Sequence, residues 1–540
     1  MKILAVNLAL SDQLRARGHE VLDLKPEPGI FLIYRDAGVL EFRPDLIIQQ
    51  ETLGPRILLA GLERMACPKI FWSIDTHLNF FWHKIYGRNF DLVLTTQKSW
   101  TQKFKDAGCR DSRWLPWFGR EKGWTPWDKR EVNVGFVGRI TEHRRIRGWM
   151  AEFLKDTYQT DIVQGLNFAR MLNLYSKTRF VPNESIAGEI NFRIFEASSC
   201  GCLVLNQKLA EDISDLYEPG REIVIFEHVL ELKDKLDFYI KNPDMARKIA
   251  FNGWNTTRNR HLSRHRVADL IEYFPAQENK KMDSAAFRKN LYLTVLELWE
   301  CGRFKSSKKK ILEMLFSLPV DQEVLAAIIR VHKSDFQRLP GYVIPILQQK
   351  QYDHDLFVNL NCSTACLSIE RFDLARQFWK RQVLSQGKLY SPVDSPLQLY
   401  LFWAKELTRK GFRLRPGFLF DPELHLPQSG VECLIKASLT DPDNQEILLD
   451  IKRTVQGMPG LESMVLKIIS GQSLRDHANW RWNLELAFFN LRSFRLRAGL
   501  EELFLGVENA GISGETGLFM DMLAARDDKG YLRNYLKRAQ

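Results

Sequence analysis

Short apolar runs alternate with helical stretches through the first 110 residues, and this alternation constrains the fold more than any other feature. Each run is bounded by proline, glycine or charged residues. The predicted strands are Lys2–Val6, Glu20–Leu24, Asp45–Gln49, Lys69–Ile74 and Asp91–Thr95. Helices are predicted over Leu8–Arg17, Arg56–Met65 and Trp100–Ala107. Such alternation predicts a parallel sheet with helices on both faces.

A segment rich in tryptophan and proline separates this region from a second series of the same kind. Residues 114–127 contain four tryptophans and two prolines, a composition typical of a linker between domains. The strands predicted beyond it are Val132–Val137, Lys177–Pro182, Cys202–Leu205 and Glu222–Phe226. The first half is therefore predicted to hold two Rossmann-like sheets, with a ligand cleft between their carboxyl edges.

Strand signals fade beyond about residue 278, where helical spacing takes over. Segments 359–376 and 482–498 each resemble a tetratricopeptide hairpin, although the full repeat consensus of roughly 34 residues is absent. A plain helical bundle is the alternative. The predicted fold class is thus α/β, with two Rossmann-like domains facing a cleft (1–127 and 128–277) and an all-α helical-repeat domain (278–540).

Charge and cysteine usage narrow the classes of partner. The net charge of +11 favours anionic partners such as phosphates. No nucleic-acid recognition signature is present, and no apolar run reaches the roughly 18 residues of a membrane helix, so at most peripheral membrane association is expected. The start of the chain is interpreted as a core strand rather than a signal peptide. The eight cysteines lack metal-ligand spacing, which predicts reduced, buried thiols and a cytoplasmic location.

Residues 188–205 place one carboxylate at the mouth of the second predicted sheet. The pattern predicts a tight turn at Gly188, a short helix that carries Glu196, a break at Gly201 and a buried strand. The neighbours of Glu196 in this helix are apolar, so the carboxylate is expected to be partly buried and to need a partner. A ribose diol suits it because it offers two O–H donors. The alternative partner is Arg193, in a salt bridge.

Basic residues and glycines cluster at the end of the first strand of the second series. The glycines of Gly135-Phe-Val-Gly138 allow a ligand close to the backbone, and the following helix offers its N–H groups to a phosphate. Arg139, Arg144 and Arg145 supply charge-assisted donors suited to a diphosphate. The alternative is a solvated helix start.

A possible acid–base pair follows a predicted strand of the first series. Asp75 and His77 stand two residues apart just past the strand end, where they suit the roles of base and orienting group. The alternative is a capping aspartate and a packed histidine. The P-loop, the dinucleotide fingerprint and the common hydrolase motifs are absent, which disfavours those enzyme classes.

Four segments in order resemble the group-1 glycosyltransferases of the GT-B fold, in particular the bacterial branch similar to the spore-maturation protein CgeB. They are Asn133–Arg139, Tyr175–Asn183, Gly188–Gly201 and Tyr217–Glu222. The resemblance covers about residues 130 to 275, with residues 1–125 fitting the variable acceptor-side domain.

The resemblance implies a nucleoside diphosphate sugar as donor, with no metal and no other cofactor. It implies that Glu196 holds the donor ribose, and that Arg139 with Arg144 or Arg145 binds the diphosphate. The residues expected at the donor are Gly138, Arg139, Arg144, Arg145, Gly188, Glu189, Asn191, Arg193 and Glu196. Asp75 and His77 are expected on the acceptor side.

One departure from the family pattern bears on activity. Many members carry two glutamates in the spacing Glu-x7-Glu, whereas Gly188 stands eight residues before Glu196 and the nearest acid is Glu189. The leading hypothesis is transfer of a sugar to a hydroxyl acceptor, on a protein or surface glycan, with the helical domain holding the acceptor. The alternatives are a catalytically degenerate scaffold that binds proteins, and a nucleotide-sugar epimerase.

Overall fold

The computed structural model describes residues 1–540 except 53, 142–143, 186–187, 212, 275–282, 351, 457, 459–460 and 540. The chain divides into two compact units. The first unit is Met1–Leu115 with Ile271–Val455, and the second is Pro116–Leu270 with Gln456–Gln540. Each unit thus combines a sheet from the first half of the chain with helices from the second half. The domain boundaries predicted from the sequence stay a prediction.

All strands of the described residues pair in parallel. In chain order they are β1 (Lys2–Val6), β2 (Glu20–Leu24), β3 (Gly29–Leu32), β4 (Leu46–Gln50), β5 (Ile57–Ala60), β6 (Lys69–Ser73), β7 (Leu92–Thr95), β8 (Ser112–Trp114), β9 (Val132–Val134), β10 (Phe136–Val137), β11 (Ile162–Val163), β12 (Thr178–Asn183), β13 (Leu203–Gln207) and β14 (Val224–Phe226).

The α-helices begin and end as follows. They are α1 (Ser11–Ala16), α2 (Ala37–Phe42), α3 (Thr76–Tyr86), α4 (Trp100–Asp106), α5 (Arg145–Tyr158), α6 (Phe168–Ser176), α7 (Phe192–Ser199), α8 (Val229–Lys241), α9 (Pro243–Arg260), α10 (Ser263–Tyr273), α11 (Ser284–Glu300), α12 (Lys308–Phe316), α13 (Gln322–His332), α14 (Leu339–Gln348), α15 (Leu356–Ser368), α16 (Phe372–Ser385), α17 (Pro396–Arg409), α18 (Gly430–Thr440), α19 (Gln445–Val455), α20 (Glu462–Arg475), α21 (Trp480–Arg492), α22 (Leu496–Ile512), α23 (Thr516–Ala524) and α24 (Tyr531–Ala539). Short 3-10 helices lie at Ile33–Arg35, Leu62–Arg64, Gly87–Asn89 and Trp127–Lys129.

The first unit is built on a six-stranded sheet in the order β2-β1-β4-β6-β7-β8. Every residue of β4 and β6 is buried, as expected for central strands covered on both faces. One apolar core joins sheet and helices, since it includes Phe71 of β6, Trp82 of α3 and Leu291 of α11. Helices from the second half of the chain therefore complete the core of the first sheet.

The prediction of a helix over Arg56–Met65 is wrong. Ile57–Ala60 forms β5, which pairs in parallel with β3, and a short 3-10 helix follows at Leu62–Arg64. Leucine and alanine favour a helix locally, but all four residues of β5 are buried in the sheet, and burial against a partner outweighs so small a propensity. Gly61, with φ at +85°, ends the strand.

The second unit holds a four-stranded sheet in the order β14-β13-β12-β9, and β10 pairs separately with β11. The strand predicted over Val132–Val137 is broken at Gly135, where an added Cβ would lie 2.7 Å from Cγ2 of Thr178. The core of this unit joins Leu203 of β13 to Leu484 of α21 and Leu536 of α24. The last helices of the chain therefore cover the second sheet.

Both predicted hairpins form helix–turn–helix pairs, α15 with α16 and α21 with α22. Their turns hold Glu370 and Phe494 at φ of 59° and 65°. Ala365 and Ala487 are fully buried, which lets the partner helices approach closely. The pairs belong to different compact units. The tetratricopeptide-like repeat stays a prediction.

The predicted fold class is confirmed, with Rossmann-like parallel α/β sheets in the first half and a helix-rich second half. The eight cysteines are free thiols and seven of them are buried, as predicted, whereas Cys301 is half-buried. The predicted cytoplasmic location stays a prediction. No helix among the described residues combines the length and the apolar character that crossing a bilayer requires.

Candidate functional site

The segment predicted to form a nucleotide-binding mouth has the expected local structure. Gly188 turns at a φ of +66°, α7 follows, and Gly201 ends it at a φ of +76° before β13. The start of α7 lies beside the carboxyl end of β12, because Asn191 contacts Asn183 there. Ligands of open parallel sheets bind at such carboxyl ends.

Glu196 is a buried carboxylate without a partner among the described residues. Its residue surface is 8% exposed, and the carboxylate forms no hydrogen bond or ion pair with any described residue. Burial raises the pKa of Glu196 to about 7, against the opposing charges of Arg193 and Arg120. A buried acid of this kind ordinarily needs a partner, so the arrangement fits a ligand that donates hydrogen bonds.

Arg193 does not pair with Glu196, so the salt bridge considered as the alternative does not form. It pairs instead with Glu184 at 3.3 Å and donates to Oδ1 of Asn183 at 2.8 Å and to the carbonyl of Val137 at 3.1 Å. The guanidinium therefore ties together the ends of β10 and β12 and the start of α7.

Sequence reasoning missed Glu184, the central acid of this cluster. It is fully buried and also accepts a hydrogen bond from Nε of Arg147 on α5. Two arginines on one carboxylate offset the cost of burying all three charges. The available signal was the polar pair Asn183-Glu184 directly after a predicted strand.

The loop before α7 presents an unsatisfied acceptor. Nδ2 of Asn191 donates to Oδ1 of Asn183 at 3.2 Å and to the carbonyl of Glu184 at 3.0 Å, whereas its buried Oδ1 has no hydrogen bond with any described residue. The Glu189 carboxylate accepts from Oγ of Ser185 at 2.5 Å. Asn191 thus fits a ligand donor close to the start of the helix that carries Glu196.

Gly188 is required by its conformation. Its φ is positive, and an added Cβ would lie 2.8 Å from Cβ and 2.9 Å from the backbone nitrogen of Ala210. A glutamate at this position would strain the backbone and displace Ala210. The departure from the Glu-x7-Glu spacing is therefore part of the packing of this loop.

The predicted arginines lie around the amino end of α5. Arg145 begins the helix, Arg144 precedes it, and the side chains of Arg139 and Arg145 are exposed and form no ion pair with a described residue. A helix dipole favours acids rather than cations at this end, so a bound anion would relieve an unfavourable arrangement. Gly138 is needed because an added Cβ would lie 2.7 Å from Nη2 of Arg193.

An aromatic surface beside α7 was also missed from the sequence. Trp117 stacks on Phe192 with ring centroids 4.7 Å apart, and Phe168 stacks on the same ring at 6.3 Å. Phe192 and Glu196 stand four residues apart on α7 and therefore share a face. The site thus combines a stack of aromatic rings with the unpaired carboxylate.

Asp75 and His77 lie in the first unit. Asp75 occupies the N-cap position of α3 without a side-chain capping hydrogen bond, and the buried Nδ1 of His77 has no hydrogen bond within the described part of the chain. Sequence reasoning missed Glu51, which is buried and accepts from the backbone N–H groups of Ile74 at 3.0 Å and Asp75 at 2.8 Å. Burial alone would raise the pKa of Glu51, but nearby cations and hydrogen bonds hold it below its ordinary value.

A family model described as glycosyl transferase-like matches residues 123–272. That segment is glycosyltransferase-like. It lies almost wholly in the second unit and contains every residue predicted to bind the donor. No curated protein has a detectable match to the chain.

Several solved structures resemble about half of the chain. Anabaena HepE in complex with UDP-glucose is 15% identical with a TM-score of 0.34, and covers 51% of this chain and 100% of its own. Sucrose-phosphate synthase from Thermosynechococcus elongatus is 11% identical with a TM-score of 0.38, and covers 51% and 98%. A glycosyltransferase from Rickettsia africae is 10% identical with a TM-score of 0.35, and covers 51% and 97%.

Proposed function

We propose that the protein is a glycosyltransferase that moves a sugar from a nucleoside diphosphate sugar to a hydroxyl acceptor. One observation is the basis of the proposal: the buried Glu196 carboxylate has no hydrogen bond or ion pair with any described residue, and it lies on α7 within the segment that matches the glycosyl transferase-like family. A ribose diol supplies the two O–H donors that this carboxylate lacks. The order of the four resembling segments supports the finer assignment to the CgeB-like branch of the GT-B group-1 enzymes.

The donor is proposed to span the second unit from α7 to α5. Glu196 accepts from the ribose, and Arg139 with Arg144 or Arg145 binds the diphosphate at the amino end of α5. The unsatisfied Oδ1 of Asn191 accepts from a hydroxyl of the donor sugar. The aromatic surface formed by Trp117, Phe168 and Phe192 offers the nucleobase an apolar face.

Catalysis is proposed to rest on positioning and on stabilising the departing diphosphate. The bond between the sugar and the diphosphate breaks, so negative charge grows on the leaving oxygen beside the arginines and the helix N–H groups. Asp75 and His77 are proposed to serve the acceptor hydroxyl as base and orienting group. No resident metal or other cofactor has a part in this scheme. The helical region is proposed to hold the acceptor, a protein or a glycan.

The proposal is tested by ligand binding and turnover with UDP-, GDP- and dTDP-sugars. At least one should raise the melting temperature, because a ligand that binds only the folded state stabilises it. Glu196→Gln should lower the affinity for that ligand. Glu152→Gln changes an exposed residue of α5 and should leave the affinity as it is in the native chain. Turnover should continue in EDTA. Absence of any thermal shift and of any hydrolysis or transfer would contradict the proposal.

Gly188 favours a second candidate function. The position cannot accept the first glutamate of the Glu-x7-Glu pattern without strain, and on this second candidate the chain has kept donor binding and lost transfer. Such a protein would be a nucleotide-sugar-binding scaffold. Binding without turnover against any hydroxyl acceptor or water would favour this candidate, and measurable turnover would eliminate it.

A further inference from the structure

A cavity lies at the opposite end of the sheet from the donor residues. It has a volume of about 490 Å³, within the roughly 300–1,000 Å³ typical of small-molecule sites. It is lined by Trp127, Asp128, Asn133, Arg179, Phe180, Tyr239, Ile240, Pro243, Asp244 and Arg247. Arg179 lines the cavity near the start of β12, and Glu184 lies beside the donor residues just after the end of this strand. Five residues at about 3.3 Å each therefore separate the cavity from the donor residues by about 16 Å.

The charged groups of the cavity balance one another. The guanidinium of Arg247 pairs with the carboxylate of Asp244 at 3.2 Å. The lining also contains one further guanidinium, of Arg179, and one further carboxylate, of Asp128. Arg179 donates from Nε to the carbonyl of Trp127 at 3.3 Å and from Nη1 to Oδ1 of Asn133 at 3.1 Å. These bonds fix the guanidinium, and its Nη2 makes no hydrogen bond with any described residue. The lining therefore offers both donors and acceptors with no net charge.

Aromatic rings form the apolar part of the lining. Trp127 packs edge-on against Phe180 with ring centroids 5.7 Å apart. The half-buried Tyr239 adds a third ring, and its hydroxyl makes no hydrogen bond with a described residue. Because Trp127 and Phe180 are buried, Tyr239 presents most of the aromatic surface. An aromatic ring next to hydrogen-bonding groups suits a ligand with one apolar face and several hydroxyls.

We propose that this cavity binds a neutral saccharide. Each sugar hydroxyl both donates and accepts, so it can satisfy a guanidinium and a carboxylate together, while the C–H face of the ring packs on an aromatic side chain. An anionic ligand would meet the repulsion of Asp128 and Asp244. A purely apolar ligand would leave Nη2 of Arg179 and the hydroxyl of Tyr239 without a hydrogen bond. The cavity is thus a saccharide site separate from the proposed donor site and independent of transfer.

The test is titration of the full chain with maltotriose, N,N′,N″-triacetylchitotriose and sodium glucuronate. Binding is measured by calorimetry and by saturation-transfer NMR. At least one neutral trisaccharide should bind. Tyr239→Phe and Arg247→Gln should each weaken it about fivefold, the effect of one lost hydrogen bond, and the double variant should weaken it further. Arg170→Gln, an exposed arginine on α6 of the same unit, is the matched control and should leave the affinity unchanged.

Several outcomes would overturn the inference. They are absence of binding of either trisaccharide, equal affinity in the native and cavity variants, and binding of glucuronate in place of the neutral sugars. The variant Glu196→Gln distinguishes failure of the proposed glycosyltransferase function from failure of the saccharide-site proposal. That variant should lose nucleotide-sugar binding and keep saccharide binding, because Glu196 is not part of the cavity lining.

Discussion

Donor binding should release a proton from Glu196. Burial raises the pKa of this acid to about 7 in the free protein, so about three quarters of the molecules carry the proton at about pH 6.5. Ribose hydroxyls that donate to the carboxylate favour its ionised form and lower the pKa towards the ordinary value of 4.5. Binding at about pH 6.5 should therefore release about 0.7 proton per ligand.

The same shift gives binding a definite pH dependence. Because the proton leaves on binding, the affinity should rise about tenfold per pH unit between about pH 5 and 7 and level off above about pH 7. A nucleoside diphosphate sugar is the suitable ligand, since its diphosphate has no proton that titrates near neutrality. Glu196→Gln removes the titrating group, so its binding should be weaker and nearly independent of pH.

The assay is titration calorimetry in two buffers of different ionisation enthalpy, with the sugar nucleotide that gives the largest thermal shift. The difference between the apparent enthalpies gives the number of protons released. Glu152→Gln is the control, because it makes the same substitution at an exposed position. Equal proton release by the native chain and Glu196→Gln would refute the assignment of Glu196 to the ribose.

Three further predictions concern stability. The raised pKa of Glu196 lowers the free energy of unfolding by about 3 kcal/mol above about pH 7 and has no effect on it below about pH 4.5. Glu196→Gln should therefore raise the melting temperature at pH 8 but not at pH 4. Gly188→Glu should lower the free energy of unfolding by about 1–3 kcal/mol and should not increase turnover, whereas increased turnover at unchanged stability would contradict the packing argument. Glu184→Gln should cost about 3–5 kcal/mol in unfolding experiments because two buried arginines lose their partner. Glu131→Gln, which loses only an exposed pair with Lys177, should cost at most about 1 kcal/mol, and equal losses would refute the buried-pair account.

The local features of the site were readable from the sequence. An isolated carboxylate among apolar residues on a short helix predicts burial, and Glu196 is buried. A glycine before that helix and another after it predict turns, and both have positive φ. These features depend on neighbours within a few residues, so the sequence pattern contains the information.

The partners of the charged groups could not be predicted from the sequence. Arg193 is three residues from Glu196 on the same helix, yet it pairs with Glu184, which reaches it from the end of a neighbouring strand. The same holds for Glu51, whose partners include residues more than twenty positions away. The distances between helices and strands decide which carboxylate stays unpaired and can bind a ligand. The spacing of residues along the chain does not give those distances.

By itself the sequence determined the class of fold, because strand and helix periodicities are local and are repeated along the first half. Only the tertiary structure decided that Ile57–Ala60 is a strand rather than a helix, since its pairing with Gly29–Leu32 supplies the stabilisation. The tertiary structure also distributed the C-terminal helices between the two compact units. Their apolar faces are equally apparent in the sequence, but the sheet that each face covers is set by complementary packing between residues hundreds of positions apart.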